Sequence, residues 1–449
     1  MLDTVAESHT PPGPPTPARM LALLAALLLP LPSAPLLAAE TLADAWRDAL
    51  AVDARLRAAD ADADAARATR DAARALALPR ATASSRYTVL SNEPAARIDF
   101  PAIPGIALPS QMPLQERSYA THALQATLPV YTGGRIASAV AAAETGVAAS
   151  GFERTRSEQA VKLDVAEAYL NVLRARRAQR AAEHHLAALD AHAADVAALG
   201  KQGLVARNDI LSVAVARADA AQRLTQAGNA AQLADAAYNR LLRRPLDAPV
   251  DLTEPPAPDT PPGDLAALAS RARSLRPELA LLGAQAEVTD READQERAGL
   301  RPQVGLSAAA LHEDNRYRVR QDVAQIAVGV EWQLFDGGLL RHRADAARAR
   351  ARAARERQTD AASLIELEVR REWLATDEAA RRLATTETAV GQADENLRVA
   401  RDRYRNGVGT HTEVLDAEAL RSLTDYNHLN AHYDLHLARL RLRKAVGEL

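Results

Sequence analysis

Cysteine is absent from all 449 residues, which excludes any disulfide and any lipid-modified N-terminal cysteine. Aromatic residues are scarce at 3%, while 48% of the chain is hydrophobic and dominated by Ala and Leu. That is the composition of long helices. Neither sign of charge prevails: the net charge is -3 with both signs interspersed. No basic patch for nucleic acid and no acidic tail result, so no nucleic acid is expected as partner. Beyond residue 39 no stretch approaches the ~18 apolar residues of a membrane-spanning helix. No nucleophile elbow, phosphate loop or HExxH occurs either, so an enzyme, a cofactor and nucleotide binding are not expected.

The chain contains itself twice. Leu128-Pro129-Val130-Tyr131-Thr132-Gly133-Gly134 superposes on Trp332-Gln333-Leu334-Phe335-Asp336-Gly337-Gly338 at a shift of 204, which also carries Asp209, Ile210 and Leu211 onto Glu413, Val414 and Leu415. Upstream the shift is 223, placing Leu56 on Leu279 and Pro79 on Pro302. The difference locates an insertion in the first copy between residues 90 and 120, holding Pro101, Pro104, Pro109 and Pro113. A repeat of about two hundred residues exceeds a solenoid unit, so each copy is a half of one architecture.

Four segments follow. Residues 1–39 read as a secretory signal, because the apolar run after Arg19 is only about ten residues long and is broken by prolines. Residues 40–243 form the first repeat, the Pro-rich stretch 244–263 a surface linker, and 264–449 the second repeat. The first copy reads as helix 41–78, strands 81–90 and 121–131, and helices 135–200 and 208–243. In the second the spans are helix 264–300, strands 303–313 and 324–335, and helices 339–404 and 412–447.

Leu383, Val390, Leu397 and Tyr404 recur at sevens, with Ala379, Ala393 and Ala400 as small partners, a coiled-coil pattern. Helices of about 65 residues make rods of roughly 100 Å, and two shorter helices end to end match one rod. Ile326, Val328, Val330, Trp332 and Leu334 alternate with a more polar set, and His122, Leu124, Ala126, Leu128 and Val130 repeat the parity. Such segments with aromatics near their ends suit a transmembrane β-barrel, although an ordinary antiparallel sheet fits the periodicity equally well. Four strands cannot close a barrel, and an open edge in lipid leaves backbone groups unpaired, so the barrel reading requires a homo-oligomer.

The leader, the duplicated helix-strand-strand-helix order, Pro129 to Gly134, Leu334 to Gly338, and the turns Gly203-Leu204-Val205 and Gly407-Val408-Gly409 together resemble the TolC family of outer-membrane export channels. The resemblance spans about 41–447 and implies a mainly α fold with a small β part: long coiled-coil helices forming an α-barrel, plus four strands contributed to a shared transmembrane β-barrel. It implies a homotrimer in outer membrane lipid, serving efflux or type I secretion with a periplasmic adaptor protein and an inner-membrane transporter. The alternative reading is a secreted or periplasmic coiled-coil structural protein with a small soluble sheet.

The resemblance also implies site residues. Gly203, Leu204, Val205, Gly407, Val408 and Gly409 match the adaptor-docking tips, where glycine has in any case the plain role of turning the chain. Glu413 and Asp416 match an acidic ring at the pore constriction, and Asp209 and Tyr404 match gate-latching positions, while the family's latch arginine is replaced by Gly409. Read from the residues alone, Thr410-His411-Thr412-Glu413 fits a capping box and Asp209 a helix N-terminus. His428, His432 and His436 stand at i, i+4, i+8, a spacing open to a metal, but no further ligand completes a motif and one solvated helix face explains the row equally well. No metal is assigned.

Overall fold

The computed structural model describes residues 39–99, 110–256 and 263–449. Nearly all of the candidate signal segment, Pro101, Pro104 and Pro109 of the insertion, and residues 257–262 of the Pro-rich stretch lie outside the described residues. The first copy comprises α1 (Leu42–Val52), α2 (Ala54–Ala75), β1 (Arg80–Val89), a small hairpin of β2 (Ala95–Arg97) and β3 (Gln111–Pro113), β4 (Ser118–Tyr131), α3 (Arg135–Lys201) and α4 (Arg207–Leu241). The second comprises α5 (Leu265–Leu275), α6 (Pro277–Ala298), β5 (Gln303–Glu313), β6 (Asp322–Glu331), α7 (Leu339–Arg405) and α8 (His411–Val446). The two sequence shifts carry α1 onto α5, α2 onto α6 and α3 onto α7, end for end. The insertion holds the extra hairpin.

The single helices expected over 41–78 and 264–300 are each broken once, at positions equivalent under the duplication. Asp53 leaves the helical region at φ -65°, ψ 134° and its carboxylate accepts the Arg55 N–H at 2.7 Å, ending α1 and capping α2. Arg276 also leaves the helical region, at φ -68°, ψ 117°, without a side-chain cap, because Pro277 occupies the first turn of α6 and forces its predecessor extended.

Both α3 and α7 have 67 residues, about 100 Å each. Arg74–Glu144, Arg154–Asp60 and Arg55–Asp164 tie α2 antiparallel along the first half of α3. Arg176–Asp235 and Arg217–Asp190 tie α4 along the second half. Shorter helices thus lie end to end beside a long one, as the lengths required. The α7 heptad packs on α8: Leu397 and Ala400 meet Val414 and Ala417 near the turn, and Ala379 and Leu383 meet Leu435 and Ala438 farther up.

The main core gathers Ala49, Leu56, Val161, Val165, Tyr169 and Tyr238, and its duplicate gathers Ala272, Leu279, Ile365, Val369 and Leu442. Each buried Val or Leu contributes about 1.5–3 kcal/mol. The Pro-rich stretch is not wholly a surface linker, because Val250 and Leu252 are buried in the first core. Glu40 pairs with Leu252 as an isolated parallel bridge, and the Tyr169 hydroxyl meets the Thr253 carbonyl at 2.5 Å.

The sheet order is β1-β4-β5-β6, antiparallel throughout, leaving β1 and β6 as open edges. The register sets Ala83, Leu124, Ala310 and Ala324 in one row, and Leu128, Leu306 and Val328 in another, on one apolar face. The opposite face carries the rows Arg80, Thr127, Ser307 and Thr82, Gln125, Ala309, Gln325. β6 stops at Glu331, short of the expected 335, because its partner β5 begins at Gln303, directly after Pro302, so Trp332 to Phe335 have no ladder to join.

Candidate functional site at the helical tips

The turns joining α3 to α4 and α7 to α8 close the two helical hairpins at the end remote from the sheet. Gly203 and Gly407 sit at φ +74° and +71°, a region that strains any side chain. Each lets the chain reverse so that Leu204 N–H donates to the Leu199 carbonyl and Val408 N–H to the Arg403 carbonyl, both at 3.0 Å. Gly409 has a steric reason instead: a Cβ there would lie 2.9 Å from Arg403 Cβ and 3.0 Å from the Tyr404 nitrogen. Leu204 and Val408 are about two-thirds exposed, at 67% and 68%. Val205, also matched to the docking tip, is half-buried and turns back toward Gly200.

The acidic residues divide by local chemistry. The Asp209 carboxylate accepts the Ala206 N–H at 3.3 Å and so caps α4. The capping box expected at Thr410 is only half made: Thr410 Oγ accepts the Glu413 N–H at 3.3 Å, while the Glu413 carboxylate turns to Arg403 at 3.8 Å. Asp416 is exposed. Capping therefore does not consume the Glu413 carboxylate.

Between the hairpins lies a cluster of which sequence reading singled out only Tyr404 as a site residue. His192 of α3 and His411 of α8 are both buried, with Nε2 and Nδ1 3.0 Å apart and rings stacked at 5.1 Å. His411 Nε2 is 3.0 Å from Ser212 Oγ of α4, and the Ser212 hydroxyl donates to the Asp209 carbonyl at 2.9 Å. Tyr404 of α7 lays its ring edge-on to His192 at 5.5 Å, and its buried hydroxyl has no hydrogen-bond partner among the described residues. Burial, with the neighbouring His411, lowers the His192 pKa to about 4, and burial lowers that of His411. Burial raises that of Tyr404. Only the apolar spacing His411, Val414, Ala417 could have flagged His411 as inward-facing; nothing local points to His192.

The His428, His432 and His436 row is not a solvated face. His436 is buried, His432 packs edge-on against it at 5.0 Å, and His428 Nδ1 lies 3.3 Å from Thr386 Oγ. Among the described residues no three ligand-type side chains converge as a metal site, and no helix is long and apolar enough to cross a membrane.

Comparison with known proteins completes the picture. The profile of the outer membrane efflux protein family matches residues 45–243 and 268–448, one match per copy. No curated protein matches the chain. Among solved structures, the outer membrane protein VceC from Vibrio cholerae is similar at TM-score 0.74 and 19% identity, covering 90% of this chain and 96% of that one. CusC is similar at TM-score 0.77 and 16% identity, covering 90% and 92%. The open state of the MtrE outer membrane channel from Neisseria gonorrhoeae is similar at TM-score 0.72 and 19% identity, covering 90% and 88%. With both repeats matched and nearly the whole fold shared, the chain belongs to the outer membrane efflux protein family, as a non-enzymatic channel of the outer membrane with a long periplasmic helical extension.

Proposed function

We propose that three copies assemble into one passive conduit, working with a periplasmic adaptor protein and an inner-membrane transporter that supplies the energy. The observation that carries this reading is the four-stranded sheet with two ten-residue edge strands, β1 and β6. Strand directions alternate from β1 to β6, so β6 of one copy can pair antiparallel with β1 of the next. Three copies then give twelve strands with no open edge. The apolar face would meet lipid and the Arg, Thr and Gln face the lumen. At its loop end the apolar face closes with a cross-strand row of His122, His312 and Asp322.

At the other end, Leu204 and Val408 support the adaptor-docking reading by their exposure, with Gly203, Gly407 and Gly409 shaping the turns and Val205 supporting from behind. Glu413 and Asp416 are assigned to the acidic constriction and Asp209 and Tyr404 to the gate. A strain lacking its own channel tests this reading. The parent chain, given its adaptor and pump, should restore resistance to exported compounds, and L204D/V408D should abolish that while still reaching the outer membrane. Full complementation by the double variant would remove the docking assignment.

A further inference from the structure

At the turn ends the two hairpins of one chain are tied by the His192–His411 hydrogen bond, the His411–Ser212 hydrogen bond, Tyr404 packed on His192, and a long Arg405–Asp195 pair at 3.7 Å. His192 comes from the first copy and His411 from the second, and neither is repeated at its duplicate position, where Asn396 and Arg207 stand. The cluster is thus a contact between the halves and not a remnant of the duplication.

Hydrogen-bond bookkeeping assigns its protons. Ser212 spends its only hydroxyl hydrogen on the Asp209 carbonyl, so His411 must donate to Ser212 from Nε2. With both rings neutral, His411 then accepts at Nδ1 and His192 donates from Nε2, which fixes both tautomers. If both rings are charged, neither nitrogen of the 3.0 Å contact can accept, and two buried cations face each other. We propose that His192 and His411 are the positioning residues that hold the two hairpins together at the periplasmic tip, and that their protonation releases the hairpins. This rests on the reading of the tip as the pore gate.

The charged surroundings do not cancel the effect. Asp195 on α3 and Asp209 on α4 favour the charged rings, whereas Arg401 and Arg405 on α7 oppose charge on His192. Glu418 on α8 is buried and already paired with Arg401, and the Tyr404 hydroxyl stays protonated. The sign follows from the lowered values. The latch is at full strength above the ordinary imidazole value near 6.5, and weakens as pH falls through 6.5 toward the about 4 of His192 in the closed tip. Between pH 7.5 and 5 His192 alone shifts the balance toward release by about thirtyfold.

The absence of cysteine permits a clean test. Spin labels at L204C and V408C, in assemblies diluted with unlabelled chain so that most carry one labelled copy, report the separation of the two turns by pulsed dipolar spectroscopy. A single short distance at pH 7.5 should give way to a longer population at pH 5, and H192F/H411F, whose stacked rings cannot charge, should lose that response. H192N/H411N, which keeps neutral hydrogen-bonding groups at both positions, should lose it too and serves if the phenylalanine variant does not assemble. An unchanged distance in the parent at pH 5, or an undiminished response in the variants, overturns the latch. If the turns separate but conductance in bilayers does not rise with them, the latch stands and the placement of the gate is what fails.

Discussion

Replacing Glu413 and Asp416 together with alanine separates a pore role from a helix-end role. The Glu413 side chain is 43% exposed and its nearest cation, Arg403, is 53% exposed at 3.8 Å; a surface pair of that kind is worth at most about 1 kcal/mol. The helix end itself is held by Thr410 Oγ, which E413A leaves in place. Thermal or guanidinium midpoints should therefore move little, whereas T410A should cost about 1 kcal/mol. Selectivity should behave in the opposite way. A cation passing ~8 Å, one Debye length, from six carboxylates in a three-copy ring gains about 1 kcal/mol after screening, a roughly sixfold enrichment. In planar bilayers under a salt gradient, the parent channel should show a cation-selective reversal potential, E413A/D416A one moved well toward zero, and T410A the parent's value. A reversal potential unchanged in the double variant, accompanied by a stability loss of 1–2 kcal/mol, would refute the reasoning and leave a capping role.

Three further outcomes are expected. G407A, forced to φ +71°, should cost about 1–2 kcal/mol and raise hydrogen exchange at the α7–α8 turn, leaving the sheet unaffected. Arg276 is buried and bonds Glu278 at 2.9 Å, Glu368 at 3.0 Å and the Ala445 carbonyl at 3.2 Å, so R276M should cost roughly 2–3 kcal/mol in guanidinium unfolding, less than a fully buried pair because both glutamates keep some solvent. An epitope inserted at Asn92, in the loop region that joins β1 to β4, should be reached by antibody on intact cells; labelling only after the outer membrane is broken would invert the topology.

Much of this was legible because the duplication checks itself: each helix or strand end read in one copy is read again in the other. The α7 heptad, with Leu397 and Ala400 buried, identified the packed face directly. Failures came where a tertiary partner decides. Asp53 breaks a helix by capping the next one, which no periodicity records, although Pro277 marked the equivalent break in the second copy. β6 ends where β5 runs out, a fact about another strand. Val250 and Leu252 alternate within a Pro-rich stretch, too short a signal to read as core. At the tips, the glycines were legible from local backbone needs, but His192 and His411 lie 219 residues apart and become a pair only when the halves pack.

The account stands on closure of one barrel by several chains, and native mass measurement of the detergent-extracted protein tests it most directly. The edge strands β1 and β6 require partners in lipid, and twelve strands from three copies satisfy both. The predicted result is a trimer whose strand content is lost on dissociation by heat. A stable monomer retaining its full strand content in detergent would contradict it.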